Sequence, residues 1–126
     1  MRLMLGVLRC PEMVTPETHT VRGGEFRVGR GPEGVDWVLQ GATNLVSRHH
    51  FTVLFRSGDW YVVDESANGT FSNNDEAPIG KGNDQRLRDH DRLSVGPYEI
   101  EVLFVNEEPA PVGGRDMMLP GGSTNR

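Results

Sequence analysis

Cysteine is nearly absent: Cys10 stands alone in 126 residues. One thiol cannot close an intrachain disulfide or build a multi-cysteine zinc site, and such usage fits a reducing cytoplasm. With no thiolate-activating motif around it, Cys10 reads as a buried or incidental thiol. Long hydrophobic runs are missing too. The opening Met1-Arg-Leu-Met-Leu-Gly-Val-Leu-Arg9 is too short for the apolar region of a signal peptide, and no segment approaches the ~20 apolar residues of a membrane span. Membrane insertion is therefore not expected. A basic excess is also lacking, since 13 Lys and Arg face 18 Asp and Glu for a net charge of −5. Nucleic acid needs a basic face and is excluded as a partner class. Any anion must be held by a local cluster working against the global field.

Enzyme signatures are missing as well. No Gly-x-x-x-x-Gly-Lys loop is present to cradle a nucleotide. Ser47, His50 and Asp64 can be written as nucleophile, base and orienter. However, Ser47 lies in no Gly-x-Ser-x-Gly elbow, and Ser47 and His50 are loop neighbours with no oxyanion-hole signature. His19, His49, His50 and His90 lack metal-ligand spacing with acidic partners. No catalytic residue, metal or cofactor is expected.

What is abundant is punctuation: 16 Gly and 8 Pro cut the chain into short apolar runs. Leu3, Leu5 and Val7 alternate with Met4, Gly6 and Leu8, which predicts a strand buried on both faces. Strands are expected at Phe26–Val28, Val35–Leu39, His50–Arg56 and Trp60–Asp64. Others are expected at Thr70–Ser72, Gln85–Leu87, Arg92–Val95 and Tyr98–Val105. Gly23-Gly24 reads as a turn, Ser57-Gly58-Asp59 as a hairpin loop, and Gly96-Pro97 as the connection between the last two strands. No window of ten residues keeps a helical period. Many short, closely spaced strands make an all-β sandwich or barrel. From Asn106 the composition turns to Pro, Gly and small polar residues, so the domain is placed at 1–105 and a flexible tail or linker at 106–126.

Chemistry concentrates in three connections: Gly29-Arg30, Ser47-Arg48-His49-His50 and Asn68-Gly69-Thr70. Arg30 offers five donors in a planar fork suited to phosphate, although alone it reads as a solvated loop arginine. Ser47 brings a hydroxyl to donate and a backbone amide that can help line an anion-binding concavity; it reads equally as a local turn cap. Arg48 is either a second positive contact or a solvated side chain. His50 reads as a satisfied structural histidine, and His49 as pointing to solvent or a neighbouring loop. Asn68-Gly69 has the composition of a tight turn, and the Asn amide carries both a donor and an acceptor.

In this order and spacing, the Gly-Arg, Ser-x-x-His and Asn-Gly elements resemble the forkhead-associated (FHA) family, over roughly Leu3 to Val105. The resemblance implies a two-sheet β-sandwich of about ten or eleven short strands and a non-enzymatic module that binds phosphothreonine on a partner protein. It implies that Arg30, Ser47 and Arg48 meet the phosphate and that Asn68 holds the ligand's main chain. Gly29, His50, Gly69 and Thr70 then support the site. One departure stands out: many members place Ser or Thr directly before the Asn, whereas this chain has Ala67, with Ser66 one residue further back. Losing one neutral hydrogen bond costs about 0.5–1.5 kcal/mol, which weakens binding without abolishing it.

A narrower resemblance rests on Gly29-Arg-Gly-Pro-Glu-Gly-Val-Asp-Trp-Val-Leu39, followed by Val46-Ser-Arg-His-His50 and the Pro-rich tail. This pattern is similar to the amino-terminal FHA domain of bacterial type VI secretion-associated proteins. It implies a cytoplasmic scaffold under threonine kinase and phosphatase control, recruited to the inner face of the inner membrane. Its partner would be a threonine-phosphorylated secretion component or a Ser/Thr kinase. The competing expectation is an FHA-like scaffold that ignores phosphate and binds through its sheet surface.

Overall fold

The computed structural model describes residues 2–41 and 44–106, and among these every regular element is a strand. In chain order they are β1 (Arg2–Arg9), β2 (Thr18–Val21), β3 (Glu25–Gly29), β4 (Trp37–Val38) and β5 (Phe51–Arg56). There follow β6 (Asp59–Asp64), β7 (Phe71–Ser72), β8 (Asp84–Arg86), β9 (Arg92–Val95) and β10 (Tyr98–Val105). One sheet has the order β2-β1-β10-β9-β7 and the other β4-β3-β5-β6-β8. All pairings are antiparallel except β3 with β4.

Period-two patterning explains how the sheets meet. Tyr98, Ile100 and Val102 of β10 point inward while Glu99 and Glu101 alternate with them at half-buried positions. On the second sheet Val28, Phe51, Val53, Trp60 and Val62 complete the core. Two tight hairpins fix register. Ser57 and Gly58 join β5 to β6 at φ of 54° and 86°, the left-handed pair that matches strand twist. Gly96, at φ 55°, opens the Gly96-Pro97 turn that pairs Val95 with Tyr98.

Two expectations need correction, and one strand was not expected at all. Leu3 and Leu5 are fully buried, but Leu8 is 48% exposed, so β1 buries one face rather than two. Being central in its sheet, between β2 and β10, satisfies its backbone, and its apolar outer residues are simply half-covered. β2 went unforeseen because Thr-His-Thr-Val offers only Val21 to the core; an edge strand held by backbone pairing to β1 leaves little hydrophobic signal. The strand expected over Val35–Leu39 contracts to Trp37–Val38, a parallel partner of β3. Of the expected tail, residues 107–126 lie outside the described residues.

The register of the second sheet decides where the three connections go. Val28 pairs with Phe51, and Phe51 with Asp64, so these three residues form one row across β3, β5 and β6. Gly29-Arg30 leaves from one end of that row, Ser47–His50 enters at its middle, and Glu65–Thr70 leaves from the far strand. Antiparallel pairing thus gathers segments from Gly29 to Thr70 at one rim of the sandwich.

Candidate functional site

The first two loops are joined by backbone. Arg30 N donates to Ser47 O at 2.9 Å, Gly31 N to Arg48 O at 3.1 Å, and His50 N to Val28 O at 2.8 Å. This close approach requires Gly29 to lack a side chain. A Cβ there would stand 2.0 Å from Arg48 O and 2.9 Å from His50 N, a clash with backbone that no rotamer relieves.

His50 joins the second loop to the third. Its ring is fully buried. Nδ1 accepts the Ser47 amide at 3.0 Å, so Nε2 carries the proton and donates to Gly69 O at 2.9 Å. Both ring nitrogens are occupied in the neutral form, and a second proton has no acceptor. Burial depresses the proton affinity of the ring below its ordinary value, against the opposing pull of the Gly69 carbonyl and the Asp64 charge. The Ser47 amide, a candidate for lining an anion-binding concavity, is therefore committed to His50.

Asp64 organises the third loop from beneath. Although it ends the inward row Trp60, Val62, Asp64 and is buried, its carboxylate accepts five hydrogen bonds. Ser66 donates from N (3.0 Å) and Oγ (2.6 Å), Thr70 from N (3.2 Å) and Oγ1 (3.0 Å), and Gly80 from N (3.0 Å). Burial alone would raise its pKa; the donors from Ser66 and Thr70 outweigh that and hold it below the ordinary carboxylate value. Ser66 Oγ also accepts the Gly69 amide at 2.8 Å, so that hydroxyl faces inward. Gly69 itself sits at φ 109°, and a Cβ would press on the Phe71 ring at 2.8 Å. In the sequence Asp64 draws notice only as the orienter of a discounted triad; its part in bracing the third loop is missed, because hydrophobic patterning passes over a buried carboxylate. The Ser47–His50–Asp64 relay does not form. Nδ1 of His50 meets an amide rather than a carboxylate, and Nε2 meets a carbonyl rather than the Ser47 hydroxyl.

Above this frame lie the groups that reach outward. Arg30 Nε donates to Val46 O at 2.9 Å, which fixes the plane of the fork; among the described residues its terminal nitrogens meet no protein acceptor. Ser47 Oγ accepts the Ala67 amide at 3.0 Å; an occupied lone pair leaves the hydroxyl proton to be donated elsewhere. Ala67, short of a hydroxyl, thus acts through its backbone by orienting Ser47. Arg48 is exposed and, with Arg30, Gly31, Pro32, Glu33, Gly34 and His49, lines a cleft of about 690 Å³. Asn68 is exposed, its Nδ2 loosely tethered to Asn44 O (3.3 Å) and Leu45 O (3.5 Å). It borders a smaller hollow of about 230 Å³ with Leu45, Gly69, Phe71, Ser94 and Gly96. The Ser47–Ala67 contact connects the arginine cleft with the Asn68 side.

The family model for the FHA domain matches residues 26–96, which hold all three loops and the sheet row that gathers them. The chain belongs to the FHA family. FHA domains are phosphopeptide-binding modules, not enzymes. Among solved structures it is similar to an FHA domain from a structural and functional analysis of phosphothreonine-dependent FHA domain interactions. The identity there is 26% and the TM-score 0.67, covering 85% of this chain and 100% of that one. The FHA domain of FhaA, crystallised with the intracellular domain of a second protein, is 28% identical with a TM-score of 0.62, covering 79% and 98%. The FHA domain of an Arabidopsis thaliana hypothetical protein is 27% identical with a TM-score of 0.71, covering 87% and 91%. A search of curated proteins finds no match.

Two outcomes follow from this frame. The unfolded chain takes up a proton near pH 6.5 that the folded His50 ring refuses, so stability is complete above that pH and declines below it. Asp64 adds a second loss as pH falls below about 4. Thermal unfolding between pH 7.5 and 4.5 will show the first decline in this FHA domain, flattened in His50→Gln. Gly29→Ala will destabilise the domain by about 3 kcal/mol in urea unfolding, the upper range for overpacking, because backbone rather than side chain must move.

Proposed function

We propose that this chain is a phosphothreonine-dependent protein-binding module whose phosphate contacts are Arg30, Ser47 and Arg48. The observation that carries the reading is the pairing of a pinned guanidinium with an oriented hydroxyl. Val46 holds Arg30, the Ala67 amide holds Ser47, and Arg48 shares the cleft with Arg30. A phosphothreonine brings ~2 negative charges and three acceptor oxygens, which two arginine forks and a hydroxyl match. Asn68, with donor and acceptor on one amide, is suited to the ligand's main chain beside the phosphorylated residue. Gly29, His50, Gly69 and Thr70 keep the loops in register. The preference for threonine over serine follows from the family. One relative, 26% identical, comes from work on phosphothreonine-dependent FHA interactions, which supports the same ligand here.

The finer setting we propose is a scaffold in threonine-phosphorylation control of bacterial type VI secretion. The partner is then a threonine-phosphorylated secretion component or a Ser/Thr kinase at the cytoplasmic face of the inner membrane. Support comes from the Asp36-Trp37-Val38-Leu39 run before the Ser-x-x-His loop and from the Pro/Gly-rich composition after Asn106. No helix among the described residues is long and apolar enough to cross a membrane.

The test is a degenerate phosphothreonine peptide pool titrated beside its unphosphorylated and phosphoserine counterparts. Binding is expected only with phosphothreonine. Arg30→Ala will weaken it by about tenfold to a hundredfold, the worth of a charge-assisted contact. Binding indifferent to phosphate and to Arg30 would instead point to the sheet surface.

A further inference from the structure

His49 has so far only a place, not a role. Its imidazole lies against Gly34, where a Cβ would stand 2.6 Å from Nε2. Nε2 lies 3.1 Å from Glu33 O, and a carbonyl can only accept, so Nε2 carries the hydrogen and Nδ1 is the basic atom. Gly34 holds φ 76°, so the loop between β3 and β4 presents a side-chain-free seat for the ring. Unlike His50, whose two nitrogens are both occupied, His49 can take a second proton without losing its Glu33 contact.

The seat places that ring on the wall of the arginine cleft. The charged and titratable groups that line the cleft with it are Arg30 and Glu33 from the β3–β4 loop and Arg48 from its own loop. Neighbouring His50 is turned inward to Ser47 and Gly69, and Asp36 is engaged by the Arg27 amide at 2.8 Å. With His49 neutral, two arginines against one glutamate leave the cleft at +1; protonation makes it +2. On a chain of net charge −5, a third local cation is a large fraction of the field an incoming dianion meets.

We propose that His49 is a further phosphate-site residue: a proton-dependent third cation whose protonation is coupled to phosphothreonine binding in the Arg30–Arg48 cleft. The inference rests on the phosphothreonine reading above and adds a residue that the Ser-x-x-His pattern leaves unspecified. By reciprocity, a ligand that binds the imidazolium form more tightly must raise the proton affinity of His49 by the same factor. Nothing comparable follows for His50, where an added proton would break the contact with the Ser47 amide.

The test uses the full chain and the phosphothreonine peptide pool. First, the His49 ring is titrated by NMR without and with the pool. Its midpoint is expected to rise by about half a unit or more, equivalent to about threefold tighter binding to the protonated form. Second, affinity is measured from pH 7.5 to 6.0 for the parent chain and for His49→Gln, whose amide retains a donor for Glu33 O. The phosphate's own second protonation, near pH 6, affects both proteins alike and cancels in their ratio. That ratio is expected to shift toward the parent chain as pH falls. Arg30-dependent binding with an unmoved His49 midpoint and a pH-independent ratio would overturn this inference and leave the phosphothreonine reading standing. Absence of phosphate-dependent binding to either protein would overturn both.

Discussion

The site depends on one neutral, buried imidazole. His50 accepts the Ser47 amide on one side and donates to the Gly69 carbonyl on the other. It thereby ties together two loops that the sheet only brings near each other. No other side chain does this as well: the ring is flat and rigid, and its two nitrogens take opposite roles at a fixed separation. The arrangement also removes a hazard. A buried amide and a buried carbonyl would otherwise each carry a desolvation penalty of about 1–3 kcal/mol. Burial keeps the ring uncharged, and being uncharged keeps both bonds.

Around that tie, the frame separates inward-facing from outward-facing polar groups. Asp64 gathers Ser66, Thr70 and Gly80 below the rim, so those donors are satisfied and unavailable to a ligand. The Arg30 and Ser47 side chains are each held by one contact, and among the described residues the terminal nitrogens of Arg30 and the Ser47 hydroxyl proton meet no protein acceptor. Much of the entropy of ordering them is therefore met by the fold rather than on binding. Magnitudes then decide the meaning of Ala67. A missing hydroxyl forfeits about 0.5–1.5 kcal/mol, whereas a charge-assisted arginine contact contributes about 1.5–3. On the proposed phosphate contacts the arginines outweigh the loss, and the Ala67 amide holds the Ser47 hydroxyl in place.

The architecture was legible in the chain because hydrophobic alternation is local. Tyr98, Ile100 and Val102, or Trp60 and Val62, announce an inward face wherever they are read. The three motifs were legible for a different reason, since Gly-Arg, Ser-x-x-His and Asn-Gly are short and ordered. Hydrogen-bond partners were not. Nothing near Ser47 in sequence says that its amide belongs to the His50 ring, or that the Ala67 amide belongs to its hydroxyl 20 residues away. Sequence reasoning could set Asp64 aside as a catalytic orienter, but it could not see that the carboxylate gathers five donors. β2 stayed hidden because an edge strand needs pairing more than it needs apolar side chains. Local pattern reports burial; it does not report which polar group meets which.

The most direct test is a crystal structure of the chain bound to a phosphothreonine peptide. The account predicts phosphate oxygens on the Arg30 guanidinium and the Ser47 hydroxyl, with Asn68 on the peptide main chain. The His50 bonds to Ser47 and Gly69, and the Ala67–Ser47 contact, should be unchanged from the free protein. A phosphate seated away from Arg30, or a Ser47 loop rebuilt with its amide released from His50, would contradict a site prearranged by that imidazole.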